Sequence, residues 1–191
     1  VSKDAVLCEY MLGHRIVSLC GKIIKRSCIN IEWDYREYGN LSTGEDTLQS
    51  IEFFINSDTF VYLNKALYNY RYGSGMTAKF DSNYYFAFKK ILQEIWNKRQ
   101  NFNIRNFDEL FAIKVLQTAG RAITQSRYHK WGALEEHKSY LKKIRNDSMW
   151  KTNYSYIGKV KNNLQLDHYI LLRLLQYRLY TLIIFLLKVK N

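Results

Sequence analysis

Residues 59–77 read TFVYLNKALYNYRYGSGMT, and the pairing state of this stretch decides the fold class. Thr59–Leu63 and Ala66–Tyr72 are rich in aromatic and β-branched residues, are separated by Asn64-Lys65, and end at Gly73-Ser74-Gly75. Aromatic and β-branched runs bounded by turn residues predict strands. The surrounding pattern is helical. Asp4–Leu12 predicts a short helix stopped by Gly13, and Leu48, Ile51, Phe54 and Ile55 give helical spacing from Gly44 to Asn56. Between them, RIVSLCGKIIKRSCI (15–29) alternates basic and apolar residues with no decisive period.

Beyond Lys79 the segments become long and amphipathic. A helix capped by Asp81 or Ser82 is predicted to reach Arg99, burying Tyr85, Phe88, Ile91, Leu92 and Ile95. Two more are predicted over Phe107–Tyr128 and Ala133–Ile144. The expected fold is therefore α+β, mostly α-helical, with two or three short strands. Its domains are expected to be 1–79 and a helical extension, 80–191. The last segment, HYILLRLLQYRLYTLIIFLLKVKN (168–191), is the most apolar. Spanning a bilayer takes about 20 largely uncharged residues, and Arg173 and Arg178 interrupt this run. Residues 168–190 then suit either an interfacial helix on anionic lipid or a helix docked on this protein's own core or on a partner.

Composition narrows the partners. With 29 Lys and Arg against 17 Asp and Glu, the 191-residue chain carries a formal charge of +12, which favours anionic partners. No nucleic-acid partner is expected, because the basic residues are scattered and no RNP-type or helix-turn-helix signature occurs. Cys8, Cys20 and Cys28 form no CxxC pair, sit in apolar surroundings and read as reduced core thiols of a cytoplasmic protein. His14, His129, His137 and His168 lack the spacing of metal ligands. The start, Val1-Ser2-Lys3-Asp4, has neither an initiator Met nor a signal-peptide pattern, and suggests a piece of something longer.

In LSTGEDTLQS (41–50), two adjacent carboxylates stand at a predicted helix start. Ser42-x-x-Glu45 matches a capping box, with Asp46 complementing the helix dipole. The same placement suits catalysis, since backbone donors at a helix start keep a carboxylate ionised and directed, as a general base toward a hydroxyl requires.

Residues 42–77 resemble the C-terminal part of the catalytic region of bacterial family 2 glycosyltransferases of the GT-A fold. The resemblance rests on Gly44-Glu45-Asp46 at a helix start, a short strand at Phe60–Leu63, Leu67-Tyr68-Asn69-Tyr70-Arg71 and a small-residue turn from Ser74 to Thr77. Upstream, LCGKIIKRSCI (19–29) is similar to the family's Lys-bearing segment, with Lys22 followed by Lys25-Arg26; the likeness covers about Leu7–Thr77. It implies inverting transfer of a sugar from a nucleotide-sugar donor to a hydroxyl of a glycan or lipid-linked acceptor, in surface polysaccharide synthesis. Asp46 would be the catalytic base and Glu45 would orient the acceptor. Arg71 would either stabilise the departing diphosphate or brace Glu45 or Asp46. Lys22 would either line the acceptor cleft or lie on the surface.

The family's nucleotide-binding half, with its Asp-x-Asp metal motif, is not in this sequence. A divalent metal, Mg or Mn, is expected for the complete enzyme, with ligands mostly outside this chain, and the chain alone is expected to be inactive. Relatives often carry a His near the Tyr-Arg turn, whereas Tyr72-Gly73-Ser74 has none. Tyr68, Tyr70 and Tyr72 suit a sugar platform or packing, with packing favoured for at least two; Trp96, Trp131 and Trp150 read as packing residues. The alternative function is a non-catalytic basic helical module for a membrane surface or a protein partner. The two are compatible, since a C-terminal helix on the inner face of the plasma membrane would hold an acceptor cleft near lipid-linked substrate.

Overall fold

A computed structural model of the protein describes residues 1–13, 16–39, 41, 43–69 and 81–189. Among them there are helices and 3-10 turns but no strand. The α+β expectation is thereby corrected: this is an all-α fold. Thr59–Leu63 has no regular secondary structure and no ladder partner among the described residues, and Val61 and Tyr62 are 85% and 77% exposed. Propensity for strand reflects a fit to a pleated, half-buried surface, and no neighbouring strand supplies that surface here. Phe60 packs its ring 6.1 Å from that of Phe54 instead. Tyr70 and the stretch 71–80, including Arg71, Tyr72 and the small-residue turn, lie outside the described residues.

The chain forms two compact units: residues 1–78 with 87–110, and residues 79–86 with 111–191. In the first, α1 (Lys3–Leu12) and α2 (Glu45–Asn56) lie antiparallel. Ser2 accepts a bond from the Ala5 N–H at the start of α1, and Gly13, at φ 72°, ends it by donating to the Glu9 carbonyl. At one end of the pair the Tyr10 hydroxyl donates to the Thr47 carbonyl at 2.8 Å. At the other the Lys3 ammonium donates to the Ile55 carbonyl at 2.6 Å, one of the last acceptors of α2. Between these ties Leu7, Tyr10 and Met11 face Leu48, Ile51 and Phe54, all buried. Each such side chain contributes about 1.5–3 kcal/mol by leaving water.

Residues 16–39 contain only two 3-10 turns, Arg26–Cys28 and Tyr35–Tyr38, yet they are tied to α2. Ser50 Oγ donates to the Val17 carbonyl at 3.1 Å, and Asn56 Nδ2 donates to the Cys28 carbonyl at 3.5 Å. The unit also holds most of α3 (Tyr84–Asn97), the single turn α4 (Arg99–Phe102) and the start of α5 (Phe107–Gln125). Lys98, just past α3, pairs with Glu52 of α2 at 3.1 Å.

The second unit contains the rest of α5, α6 (Leu134–Asn146), α7 (Ser148–Asn153), α8 (Leu166–Gln176) and α9 (Tyr180–Val189). Ala112, Val115, Leu116, Ala119, Ala122 and Ile123 make α5 buried on more than one face. Lys114 is buried among them, and that burial pushes its ammonium pKa down to about 7. Tyr85 donates its hydroxyl proton to Asp147, whose carboxylate also accepts the Met149 N–H that opens α7. No helix among the described residues is long and apolar enough to cross a membrane.

The apolar C-terminal segment, expected to be one helix over 168–190, is two. Arg178 adopts φ 62°, and the Arg178 and Leu179 N–H groups donate to the Leu175 and Leu174 carbonyls at 3.1 and 2.9 Å. This is the Schellman closure that usually employs glycine. A left-handed non-glycine residue costs about 1–2 kcal/mol. Arg178→Gly should therefore raise stability by about 0.5–1 kcal/mol in urea unfolding, after the greater entropy of glycine in the unfolded chain is deducted. A loss of stability would show that the Arg178 side chain contributes more than its backbone costs.

Candidate functional site

The first turn of α2 is built around Gly44. It sits at φ 86°, in the left-handed region that favours glycine, and serves as the N-cap with no side-chain hydrogen bond. A Cβ there would lie 2.5 Å from Ile91 Cδ1 and 2.7 Å from Phe88 Cε2, so α3 passes too close for any side chain. Glu45 is consequently the first helical residue, not the third as a capping box begun at Ser42 requires; Ser42 itself lies outside the described residues. The two carboxylates instead lie in the first turn, where unpaired N–H groups favour negative charge.

Glu45 and Asp46 have different surroundings. Glu45 is exposed and lines an open pocket of about 430 Å3 with Tyr35, Gly39, Leu41, Leu48 and Gln49. Tyr35 belongs to an aromatic cluster: its ring is 4.6 Å from that of Trp33, which is 6.1 Å from Tyr38 and has the Lys98 ammonium 4.9 Å from its own centre. Asp46 is half-buried and within electrostatic reach of Lys22 and Cys20. Burial lowers the Lys22 pKa, while the Asp46 and Cys20 charges oppose that shift. Lys22 also donates to the Ser18 carbonyl, which closes the intervening turn.

Cys20, expected to be a core thiol, is exposed instead, and its thiol pKa is lowered, first by a hydrogen bond from the Tyr68 hydroxyl and next by Ser18, with Lys22 adding a smaller contribution. Asp46 acts in the opposite direction. Structure thus brings together Asp46 and Lys22, two of the four residues expected at the site, and adds Cys20 and Tyr68. Glu45 opens on the neighbouring pocket. The fourth, Arg71, lies outside the described residues. Tyr68 is the one tyrosine of its run that is described, and it is exposed rather than packed.

Sequence reasoning did not single out Tyr35, Trp33 or Cys20. The signal for the aromatics was present in EWDYREY (32–38), whose rings alternate with charges, but 3-10 structure carries no periodicity that distinguishes it from loop. Of the tryptophans expected to pack, Trp150 is 2% exposed, Trp96 is partly exposed beneath Arg99, and Trp131 walls a pocket of the second unit. Among the described residues no group of three His, Cys, Asp or Glu could hold a metal ion. The divalent cation expected for the complete enzyme, with ligands mostly outside this chain, thus finds no such group among the described residues.

Neutralising Asp46 removes an influence that raises the Cys20 pKa. In Asp46→Asn the thiolate fraction of Cys20 at pH 7 rises, and the accompanying fall in nucleophilicity offsets only part of the gain. Iodoacetamide should alkylate Cys20 roughly twofold faster than in the parent chain. Cys8, whose pKa is raised by burial, then by Asp4 and Glu9, is the internal reference. An unchanged or slower Cys20 rate would place Asp46 out of electrostatic reach of the thiol.

Comparison of the chain with protein-family models, with curated proteins and with solved structures gives no match.

Proposed function

We propose that this chain is the acceptor-side part of an inverting family 2 glycosyltransferase that passes a sugar from a nucleotide-sugar donor to a hydroxyl of a glycan or lipid-linked acceptor. The observation that carries the proposal is Asp46, a half-buried carboxylate in the first turn of α2 within electrostatic reach of Lys22. A carboxylate held in place at a helix start can act as general base toward a hydroxyl. The acceptor hydroxyl gives its proton to Asp46 as its oxygen bonds to the anomeric carbon, and the bond to the nucleotide diphosphate breaks on the opposite face. Glu45, opening on the pocket with Tyr35, orients the acceptor, and Tyr35 offers it an aromatic wall. The reading draws on the Gly-Glu-Asp motif and this geometry; it takes no support from strand pairing.

The 191 residues contain no Asp-x-Asp motif, so donor binding would come from sequence outside them. The test begins with the coding region upstream of Val1. If it encodes a nucleotide-binding half in frame, Asp46→Asn in that complete protein should lower kcat by about 10²–10⁴ with an unchanged circular dichroism spectrum. Normal transfer by the variant would remove Asp46 from the mechanism, and turnover of a nucleotide sugar by residues 1–191 alone would overturn the assignment of this chain to the acceptor side.

A second reading is favoured by α9. Leu182, Phe185 and Val189, on one helical face, are 43%, 60% and 66% exposed, and Tyr177 and Leu179 are exposed just before the helix. Water does not favour such a face. Arg178 and Lys188 lie among these residues on a chain of charge +12, which opposes self-association and matches anionic lipid. The α9 face would then dock on an anionic bilayer. Flotation with vesicles containing phosphatidylglycerol should recover the chain and lose it on Phe185→Glu; equal recovery of both would defeat this reading.

A further inference from the structure

Residues 30–39 cross the first unit as a strap whose only regular structure is the 3-10 turn Tyr35–Tyr38, and none of them is buried. Among the described residues its backbone–backbone bonds stay within it: the Trp33, Glu37 and Gly39 N–H groups donate to the Asn30, Asp34 and Arg36 carbonyls at 3.4, 3.4 and 3.0 Å. Side chains tie it to the helices. The Lys98 ammonium lies 4.9 Å from the centre of the Trp33 ring while it pairs with Glu52 of α2 at 3.1 Å and Glu94 of α3 at 3.5 Å. Lys90 of α3 donates to the Tyr38 carbonyl at 3.0 Å. Burial first, then Glu94 and Glu37, hold the Tyr38 phenol far above its ordinary pKa, so its hydroxyl keeps its proton beside them.

Lys98 is the hub of these ties. Its side chain is 28% exposed, and those of Glu52 and Glu94 are 12% and 16% exposed. Solvent therefore screens these pairs less than the pair inside the strap, Arg36 with Asp34, whose side chains are 91% and 53% exposed. One ammonium thus joins α2, α3 and the strap. From Trp33 the connection runs on to the pocket beside α2. The Tyr35 ring is 4.6 Å from that of Trp33, and Tyr35 and Gly39 line the 430 Å3 pocket together with Leu48 and Gln49.

Segments with few buried contacts and no backbone ladder to the rest of a fold open at low cost. We propose that residues 30–39 are a hinged wall of this pocket that opens and closes as one piece, with Lys98 as its latch. Paired with Glu52 and Glu94 under the Trp33 ring, Lys98 holds the wall against α2 and α3; without its charge, Tyr35 swings away and the pocket widens. The inference concerns access to the pocket, holds whichever molecule enters it, and does not rest on the glycosyltransferase reading.

The test compares the full chain with Lys98→Met, which keeps a stem over Trp33 without the charge, and with Lys98→Arg, which keeps the charge. Amide hydrogen exchange followed by NMR reads the wall at Gly39 and the helix at Leu48 and Ile51. Lys98→Met should speed exchange at Gly39 about tenfold and leave Leu48 and Ile51 as in the parent. Acrylamide quenching of Trp33, taken as the difference from the same chain carrying Trp33→Phe, should rise roughly twofold. Lys98→Arg should keep the parent values. Glu52→Gln, which removes one of the two ion pairs, should shift Gly39 and Trp33 in the same direction, and it decides the matter where Lys98→Met does not fold. The proposal is overturned if either Gly39 or Trp33 reads as in the parent, or if Lys98→Arg opens the wall as far as Lys98→Met. It is also overturned if exchange rises equally along α2, since Lys98 would then brace the whole unit and not one wall.

Discussion

The hydrogen bond from Tyr10 to the Thr47 carbonyl is the constraint on which the first unit turns. Tyr10 is fully buried, and burial alone drives its phenol pKa far above the usual range, so the hydroxyl is always a donor. In the absence of the Thr47 carbonyl that donor would be stranded in an apolar interior, at a cost of about 1–3 kcal/mol. The phenol ring meanwhile lies 5.3 Å from Phe54 and 6.0 Å from Phe102, joining α2 to α4 through one side chain. Because Thr47 belongs to the first turn of α2, the same bond locates Glu45 and Asp46.

From the other side the turn is held by Gly44. Close passage of Phe88 and Ile91 leaves no room for a Cβ, and φ 86° leaves little choice of residue. A glycine that tolerates both conditions lets the chain enter the helix without a side-chain cap. The orphan N–H groups of α2 are thereby left to the carboxylates that follow. In physical terms Gly-Glu-Asp is one device: a turn residue, an exposed carboxylate toward a pocket, and a half-buried carboxylate toward Lys22.

What could be read from the sequence follows from what repeats. Leu48, Ile51 and Phe54 recur at helical spacing and are buried, as are Ile91, Leu92 and Ile95. Val61 and Tyr62 carry equally strong β propensity, yet propensity states only what a residue would do beside a partner strand, and partner strands are a long-range property. The break at Arg178 was equally hidden, since a left-handed arginine leaves no trace in composition. At the site, Asp46 and Lys22 came from motif likeness, and their proximity came from folding. Cys20 and Tyr68 stand 48 positions apart in the numbering, and only the path of residues 16–39 along α2 brings such groups to one place.

Charge bears on the exposed apolar face of α9 in the second unit. A chain with 29 basic and 17 acidic residues cannot pair every cation, and solvent screens the unpaired ones cheaply wherever they are exposed. Arg178 and Lys188 are exposed cations of this kind, and each stands next to exposed apolar side chains. Lys188 thus borders a helix surface that water disfavours, formed by Leu182, Phe185 and Val189. Exposed cations beside a face that shuns water describe one chemical complement: an anionic head joined to an apolar body.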